Sequence, residues 1–147
     1  MRALIQRVSE ASVTIDEKQI ASIGRGILVY LGVHQKDTGK DCEWVIKRTM
    51  QARIFENANG KFDQSVADIR GEILVVSEMT LYGDLRHGNR PDMIANMKPA
   101  EARVFFENFV LRLQSVSGLK VEKGEFGAHM KVRSVNDGPV TVMVDSL

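Results

Sequence analysis

The feature that most constrains this chain is an apolar run from Ile27 to Val33, which follows the glycines Gly24 and Gly26. A short run of this kind without polar alternation predicts a strand that is buried on both faces. It is far shorter than the about 20 residues that cross a bilayer, and no other apolar run in the chain approaches that length. The fold must therefore cover both faces of this strand.

Further strands are predicted on both sides of this run. They lie at residues 2–8, 12–15, 20–23, 53–55 and 72–76, with polar turns at 16–18 and 57–60. The opening is therefore expected to be strand-rich and largely antiparallel. The strongest prediction is residues 72–76, because this stretch is apolar, contains β-branched residues and follows a glycine.

Two helices are predicted. The first lies near residues 39–52, has Asp37 and Thr38 before it as candidate N-caps, and carries a stripe of Trp44, Val45, Arg48 and Ala52. The second begins at Pro99, runs to about residue 116 and is expected to end at Gly118. Its apolar face is predicted to pack on the sheet and consists of Ala102, Phe105, Phe106, Phe109, Val110 and Leu113.

The chain closes with two predicted strands, residues 130–135 and 140–144, joined by residues 136–139. The joining sequence is Asn-Asp-Gly-Pro, and because these are common turn residues the local pattern indicates a hairpin turn. The order of elements indicates an α/β chain with mixed strands and with helices on one side of the sheet. A length of 147 residues fits a single domain, residues 1–147.

Charge and cysteine content exclude several classes of protein. The 20 basic and 19 acidic side chains leave a formal charge of +1, which argues against non-specific coating of nucleic acid but allows a local basic patch. The single cysteine, Cys42, excludes an internal disulfide and, with the lack of a signal-peptide profile, favours the cytoplasm. The neighbouring Asp41 and Glu43 should raise the pKa of this thiol, which argues against a nucleophile.

No metal or nucleotide site is indicated. His34, His87 and His129 share no ligand spacing with one another or with Cys42. Neither the glycine-rich loops that bind nucleotides nor the glycine–serine elbow of many hydrolases occurs. No metal, cofactor or membrane partner is therefore expected.

Two polar segments have two interpretations each. The sequence SEMT at residues 77–80 follows the most apolar strand. It is either the polar end of a strand that leaves the core or a catalytic segment. The loop RHGNRP, residues 86–91, is either a solvated surface loop or a contact for phosphates through Arg86 and Arg90.

Taken together, these stretches resemble the D-aminoacyl-tRNA deacylases, which remove D-amino acids mistakenly attached to tRNA. The resemblance covers the whole chain in the family's order and spacing. It is carried by MRALIQRVSEASVTID, GILVYLGV, RIFEN, GEILVVSEMTLYGDLRHGNRP and GEFGAHMKVRSVNDGPVT. It implies a three-layer α/β fold in which a rolled, barrel-like mixed sheet is covered by helices. It also implies a homodimer with its active sites at the subunit interface.

The resemblance also implies roles for individual residues. The family's S-Q-x-T motif corresponds to residues 77–80, so Ser77, Glu78 and Thr80 are expected to be catalytic and Met79 to contact the substrate. Arg86 and Arg90 are the expected contacts with tRNA.

A second motif implied by the resemblance is a cis Gly–Pro dipeptide that reaches into the pocket of the partner subunit. It corresponds to Gly138 and Pro139. Their fixed backbone carbonyls are expected to exclude an L side chain, while D-amino acids and glycine pass. Glycine on a non-cognate tRNA is therefore an expected second substrate, and DNA is not an expected partner.

The implied reaction is hydrolysis of the ester between an amino acid and the terminal ribose of tRNA. It needs donors for the oxyanion, a positioned water and a proton acceptor. Backbone N–H groups of residues 77–80 are the expected donors. A Thr80 nucleophile would need a base, and no His or Lys lies near it in the chain, so we expect Thr80 to position the attacking water. Assistance by the 2′-hydroxyl of the substrate is a hypothesis.

The chain departs from the family pattern at Glu78, where glutamine is usual, and at Met93, where phenylalanine is usual. Methionine can fill the same space. An ionised Glu78 can only accept hydrogen bonds, so it must be protonated, turned away or acting as a base. Two alternative functions follow: a deacylase of altered specificity, or a non-catalytic tRNA-binding homodimer that has lost activity through Glu78.

Overall fold

The computed structural model describes residues 1–147, and its longest antiparallel pairing joins β1 (Arg2–Ile15) to β8 (Lys131–Asp145). On its other side, β1 pairs first with β3 (Gly26–Gly32) and then with β2 (Lys18–Ile23). All three pairings are antiparallel, which confirms the predicted opening. The strands predicted at 2–8 and 12–15 are parts of one strand.

The sheet becomes mixed beyond β3. The strand β6 (Glu72–Ser77) runs parallel to β3, and the short β7 (Val121–Lys123) runs parallel to β6. A separate hairpin consists of β4 (Phe55–Glu56) and β5 (Phe62–Gln64). The strand predicted at 53–55 therefore begins only at Phe55. The strands β5 and β7 were missed because three residues are too few for a periodic signal.

The sheet rolls so that β2 comes close to β6 and β7. The Lys120 ammonium, just before β7, donates to the carbonyl oxygen of Ser22 in β2 (3.0 Å) and to the Glu72 carboxylate (3.1 Å). Buried apolar side chains fill the inside of this roll, among them Val8, Leu28 and Leu74. The expected rolled, barrel-like sheet is confirmed.

Both helices pack on the outer face of the roll, as predicted. They are α1 (Gly39–Gln51) and α2 (Pro99–Ser117), and they share one apolar core with Ile5, Val29 and Val75. The strand β3 is thus buried on both faces. The predicted face of α2 is confirmed, with Phe105 only half-buried, and Gly118 ends this helix at a φ of 62°.

The stripe predicted for α1 is only partly right, because Val45 is buried and Ala52 is half-buried against the core, whereas Trp44 and Arg48 are exposed. The buried side chains are Cys42, Val45, Ile46 and Thr49, whereas Trp44 is 39% exposed with the Arg48 guanidinium 5.3 Å from its ring centre. Spacings of three and four residues define two overlapping stripes on this helix, and the predicted stripe shares only Val45 with the fully buried one. The predicted cap is confirmed, because the Asp41 carboxylate accepts from the backbone N–H (2.8 Å) and hydroxyl (2.7 Å) of Thr38.

The hairpin turn predicted at residues 136–139 is also wrong. Asn136 pairs with Val8 and Thr141 pairs with Gln6, so residues 137–140 bulge out of a single strand opposite Arg7. A bulge needs the same turn residues as a hairpin. The difference is that β8 continues along β1 instead of folding back on itself.

Candidate active site

The first candidate segment begins where β6 leaves the sheet. Ser77 is the last residue of β6, and the backbone N–H of Glu78 donates to the carbonyl oxygen of Leu31 in β3 (2.8 Å). The chain then turns into a short 3₁₀ helix, Met79–Tyr82. Burial falls along this stretch, from 2% exposure at Val76 to an exposed Thr80. The polar residues thus lie at the rim of the core.

Glu78 caps this 3₁₀ helix and orients Thr80. Its Oε1 atom accepts from the backbone N–H of Thr80 (3.2 Å) and from the Thr80 hydroxyl. No lysine, arginine or histidine forms an ion pair with Glu78. The structure therefore places the Glu78 carboxylate beside the Thr80 hydroxyl, where it is the nearest group that could act as a base.

A cavity of about 560 Å³ opens beside this segment. Ser77, Met79 and Thr80 line it, so three of the four residues of the SEMT sequence come together, while Glu78 lies behind Thr80. The rest of the wall comes from the segment that leads into α2, with the first residue of that helix, and from the segment after β7. Those residues are Met93, Asn96, Met97, Lys98, Pro99, Phe126, Gly127, Ala128 and Met130.

Four methionines give this cavity, called here the Thr80 cavity, a flexible apolar lining. They are Met79, Met93, Met97 and Met130. Unbranched thioether side chains adapt to ligands of different shape. The position where the family has phenylalanine, Met93, is among them, which agrees with methionine filling the same space.

Phe126 is a wall residue that was missed from the sequence. The Arg103 guanidinium of α2 lies 5.5 Å from its ring centre and donates to its carbonyl oxygen (3.1 Å), which fixes the loop. The available signal was an aromatic residue close to two glycines, Gly124 and Gly127, outside any predicted element. Lys98 is the only charged side chain lining the cavity.

The second candidate segment, the bulge at residues 137–140, is fastened by Arg7. This arginine is 7% exposed; its Nε donates to the carbonyl oxygen of Asp137 (2.8 Å) and its Nη1 to that of Ile54 (2.9 Å). The backbone N–H of Val140 donates to the side chain of Asn136 (3.0 Å), which closes the bulge.

Only glycine fits at position 138. Its φ is +142°, a region that L side chains rarely adopt, and a Cβ there would lie 2.7 Å from the nitrogen of Val140 and 3.2 Å from Nη2 of Arg7. The Gly138–Pro139 peptide bond is cis, as the resemblance implies. Both residues are exposed, so their backbone faces outward from the subunit.

Arg7 was also missed from the sequence, although a signal was present. It follows Ala3 and Ile5 at alternate positions of β1, and all three side chains are buried. Alternate positions of a strand face the same side. A charged residue in the inward row therefore indicates a polar group that needs an internal partner.

A single chain does not bring the two candidate segments together. Ser77 is in register with Leu31 of β3, and Leu31 is in register with Ala3 of β1. Gly138 lies beside Arg7, on the far side of β1. With about 3.3 Å per residue along a strand and about 4.8 Å between strands, the two segments are on the order of 20 Å apart.

The two arginines expected to contact tRNA differ from each other. The Arg86 guanidinium binds the Asp84 carboxylate through Nε (2.9 Å) and Nη2 (2.6 Å), and this pairing lowers the pKa of Asp84 to about 2. Arg90 is exposed and forms no ion pair. Only Arg90 therefore offers a free guanidinium.

Cys42 lies apart from both candidate segments. Burial raises the pKa of its thiol to about 11, and the Glu43 carboxylate adds to this rise. The predicted direction is confirmed, with burial rather than the flanking carboxylates as the main cause. No three His, Cys, Asp or Glu side chains come together as a metal site would require, and neither helix is long and apolar enough to span a membrane.

Comparison with known sequences shows relatives along the whole chain. A sequence profile of the family described as D-Tyr-tRNA(Tyr) deacylase matches residues 4–145. A Thermotoga petrophila protein named D-aminoacyl-tRNA deacylase is 51% identical over 146 residues, which cover 99% of this chain and 97% of that protein. A Petrotoga mobilis protein of the same name is 46% identical with the same coverage.

Two solved structures share the fold. One, described as c-Myc DNA Unwinding Element Binding Protein, has a TM-score of 0.94 and 41% identity, and the match covers 100% of this chain and 99% of that chain. The other, described as a probable eukaryotic D-amino acid tRNA deacylase, has a TM-score of 0.79 and 19% identity, with 97% of each chain covered. At 19% identity the likeness concerns the fold alone.

Proposed function

Because the chain belongs to the D-Tyr-tRNA(Tyr) deacylase family, we propose that it hydrolyses the ester bond of D-aminoacyl-tRNA in the cytoplasm. The products are the free D-amino acid and the tRNA, so the reaction removes wrongly charged tRNA before translation uses it. The observation that carries this proposal is the family match over residues 4–145. The Thr80 cavity, beside the segment that corresponds to the family motif, supports it.

The cavity offers the parts that ester hydrolysis needs. The backbone N–H groups of Glu78 and Thr80 already donate within the chain, so we assign the oxyanion to the N–H of Met79, at the start of the 3₁₀ helix beside the cavity. Thr80 positions the attacking water. Direct attack by water is favoured over attack by Thr80, because its hydroxyl has only a carboxylate beside it, and a carboxylate is a weak base toward an alcohol.

Stereochemical selection requires a second subunit. L- and D-aminoacyl esters react equally with water, so discrimination requires steric exclusion at the α-carbon. The exposed backbone of Gly138 and Pro139 is rigidly held through Arg7 and is too far from its own cavity. In a homodimer this backbone enters the partner's Thr80 cavity and occupies the space of an L side chain. D-amino acids and glycine pass, so glycyl-tRNA on a non-cognate tRNA is a second substrate.

The tRNA strand approaches through basic groups near the cavity. Lys98 lines the cavity itself, and Arg90 and Arg86 lie in the exposed loop that leads to it from the 3₁₀ helix. Guanidinium and ammonium groups bind phosphates without reading sequence. This arrangement suits an enzyme that accepts many tRNAs.

A second candidate function is tRNA binding without hydrolysis. It is favoured by the Glu78 carboxylate beside Thr80, because a negative charge near a developing oxyanion opposes its formation. A third candidate function, within the same fold, is deacylation with an altered amino acid specificity.

Deacylation assays distinguish these functions. Purified protein is incubated with D-tyrosyl-tRNA, L-tyrosyl-tRNA and glycyl-tRNA, and tRNA binding is measured separately. The proposal predicts release of D-tyrosine and glycine, with L-tyrosyl-tRNA left intact. Binding without release would support the second candidate, and preferential release of L-tyrosine would support altered specificity; either result would overturn the proposal.

A further inference from the structure

Arg2 connects the 3₁₀ helix that carries Thr80 to the last strand of the sheet. It lies at the start of β1, and β3 separates β1 from β6, the strand that leads into this helix. Its Nη1 donates to the carbonyl oxygen of Leu81 (2.8 Å). Its Nε (2.9 Å) and Nη2 (2.7 Å) both donate to the Asp145 carboxylate in β8. A single guanidinium therefore binds the helix and the strand at once.

Tyr82, the last residue of the 3₁₀ helix, makes a further contact with the same guanidinium. The Cζ atom of Arg2 lies 4.5 Å from the centre of the Tyr82 ring, which is a cation–π contact, and Tyr82 is only 7% exposed. The ring packs against Gly32 of β3, the residue in register with Arg2. A Cβ at Gly32 would lie 3.2 Å from the ring and 3.2 Å from the carbonyl oxygen of Glu78. The missing side chain thus lets the helix lie close to the sheet, within reach of Arg2.

The two ends of this helix are held by different side chains. At its start, the Glu78 carboxylate accepts from the backbone N–H of Thr80. At its end, the carbonyl oxygen of Leu81 accepts from Arg2, and that of Thr80 accepts from the backbone N–H of Gly83 (2.9 Å). A helix of four residues has few hydrogen bonds of its own, and the last carbonyl groups of any helix need partners from outside it. Arg2 is therefore the side chain that fastens the end of this helix.

The influence of Arg2 on a substrate passes through the helix. Arg2 does not line the Thr80 cavity, whereas Met79 and Thr80 do. The proposed reaction uses the N–H of Met79 for the oxyanion and the hydroxyl of Thr80 for the attacking water. Groups of this kind act only when they are held in place, because small displacements of them are costly in catalysis.

We propose that Arg2 is a positioning residue for the ester hydrolysis, which fastens the 3₁₀ helix so that Met79 and Thr80 keep their places at the cavity. This inference rests on the proposed function and adds to it a residue from outside the cavity. Arg2 and Asp145 are both partly exposed. If they formed an ordinary surface ion pair, its loss would cost little stability and would leave kcat unchanged.

The test compares Arg2→Met and Arg2→Lys with unmodified protein and with Arg112→Met. Methionine keeps an unbranched side chain without a donor, and lysine keeps the charge without the fork of donors. Arg112 is an exposed arginine paired with Glu43, so it is the matched control for loss of a guanidinium. Both kcat and KM for D-tyrosyl-tRNA are measured below the melting temperature of every variant. Hydrogen exchange of the backbone N–H groups of Leu81 and Gly83, which donate within this segment, reports on the helix directly.

We expect Arg2→Met to lower kcat about tenfold, because the groups at the cavity are displaced. KM should change by less than about twofold, because no contact with the substrate is lost. Arg2→Lys should retain more of kcat than Arg2→Met, and Arg112→Met should change neither constant. Exchange at Leu81 and Gly83 should become faster in Arg2→Met but not in Arg112→Met.

Two results would overturn this inference. If kcat of Arg2→Met equals that of Arg112→Met, the reaction does not depend on Arg2, even where exchange in the helix becomes faster. If KM rises as much as kcat falls, Arg2 acts on substrate binding and is not a positioning residue. Inactivity of the unmodified protein on D-tyrosyl-tRNA would instead refute the proposed function.

Discussion

Arg7 and Asp137 are separated by 130 positions in the chain, yet the Arg7 guanidinium donates from Nε to the backbone carbonyl oxygen of Asp137 at 2.8 Å. This bond fastens the bulge at Asp137, the residue directly before Gly138. Because Nη1 also holds the carbonyl oxygen of Ile54, one planar side chain joins the bulge to the segment before β4. Lysine carries the same charge but has no fork of donors.

The variant Arg7→Lys should therefore lose activity while keeping its charge. We expect kcat/KM for D-tyrosyl-tRNA to fall at least about tenfold, because small displacements of positioning groups are costly in catalysis. Deacylation kinetics give this value, and thermal melting gives the accompanying loss of stability. The control is Arg112→Lys, which changes an exposed arginine paired with Glu43. Equal kinetics in both variants would show that Arg7 does not position the bulge.

The two loop arginines should differ in their effect on tRNA binding. Arg90→Ala removes a free guanidinium, so it should weaken tRNA binding and reduce the salt dependence of the binding constant by about one counterion. Arg86→Ala removes a guanidinium already bound to Asp84 and should have a smaller effect. Titrations at several salt concentrations measure both. A larger effect of Arg86→Ala would mean that its pairing with Asp84 opens when tRNA binds.

The contact between Thr38 and Asp41 at the start of α1 should make the stability of the fold depend on pH in acid. The hydrogen bond from the Thr38 hydroxyl lowers the pKa of Asp41 to about 2. A lowered carboxyl pKa stabilises the fold above its unfolded value of about 4, and this contribution is lost as pH falls through about 2. Asp41→Asn should cost about 1 kcal/mol of unfolding free energy at pH 7, as other cap losses do.

Denaturant unfolding at pH values between 7 and 2 measures this effect. The gap between unmodified protein and Asp41→Asn should shrink as pH falls from about 4 to about 2. Glu10→Gln is the control, because Glu10 is exposed on β1 and forms no ion pair. A gap that stays constant over this range would contradict the account of the cap.

The sequence predicted the elements whose signal is local. The apolar strands β3 and β6 and the buried face of α2 follow from composition and periodicity alone, and the structure confirms them. In α1 the two overlapping stripes could not be separated, because what covers a helix face depends on its neighbours. The family resemblance supplied the rolled sheet, which no local pattern indicates.

The candidate site was only partly predictable for the same reason. The SEMT segment was predicted from the sequence and lies at the cavity, but the cavity wall also contains Lys98 and Phe126, which come from two distant segments. The bulge at Gly138 resembled a hairpin, because what distinguishes the two is the pairing with β1 and the contact with Arg7. Both are long-range contacts that turn propensities do not encode.

The central claim is that one active site combines Thr80 of one subunit with Gly138 of the other. Two variants test it: Thr80→Val, and Gly138→Ala, whose new Cβ would lie 2.7 Å from the nitrogen of Val140. Each homodimer should lose most of its D-tyrosyl-tRNA hydrolysis. A heterodimer, purified through a different tag on each subunit, has one intact shared site.

Deacylation by this heterodimer is the deciding measurement. The account predicts about half the activity of the unmodified dimer, because one of two equivalent sites is complete. If each site lay within one subunit, both sites of the heterodimer would carry a lesion. A heterodimer as inactive as the two variant homodimers would therefore contradict the shared site.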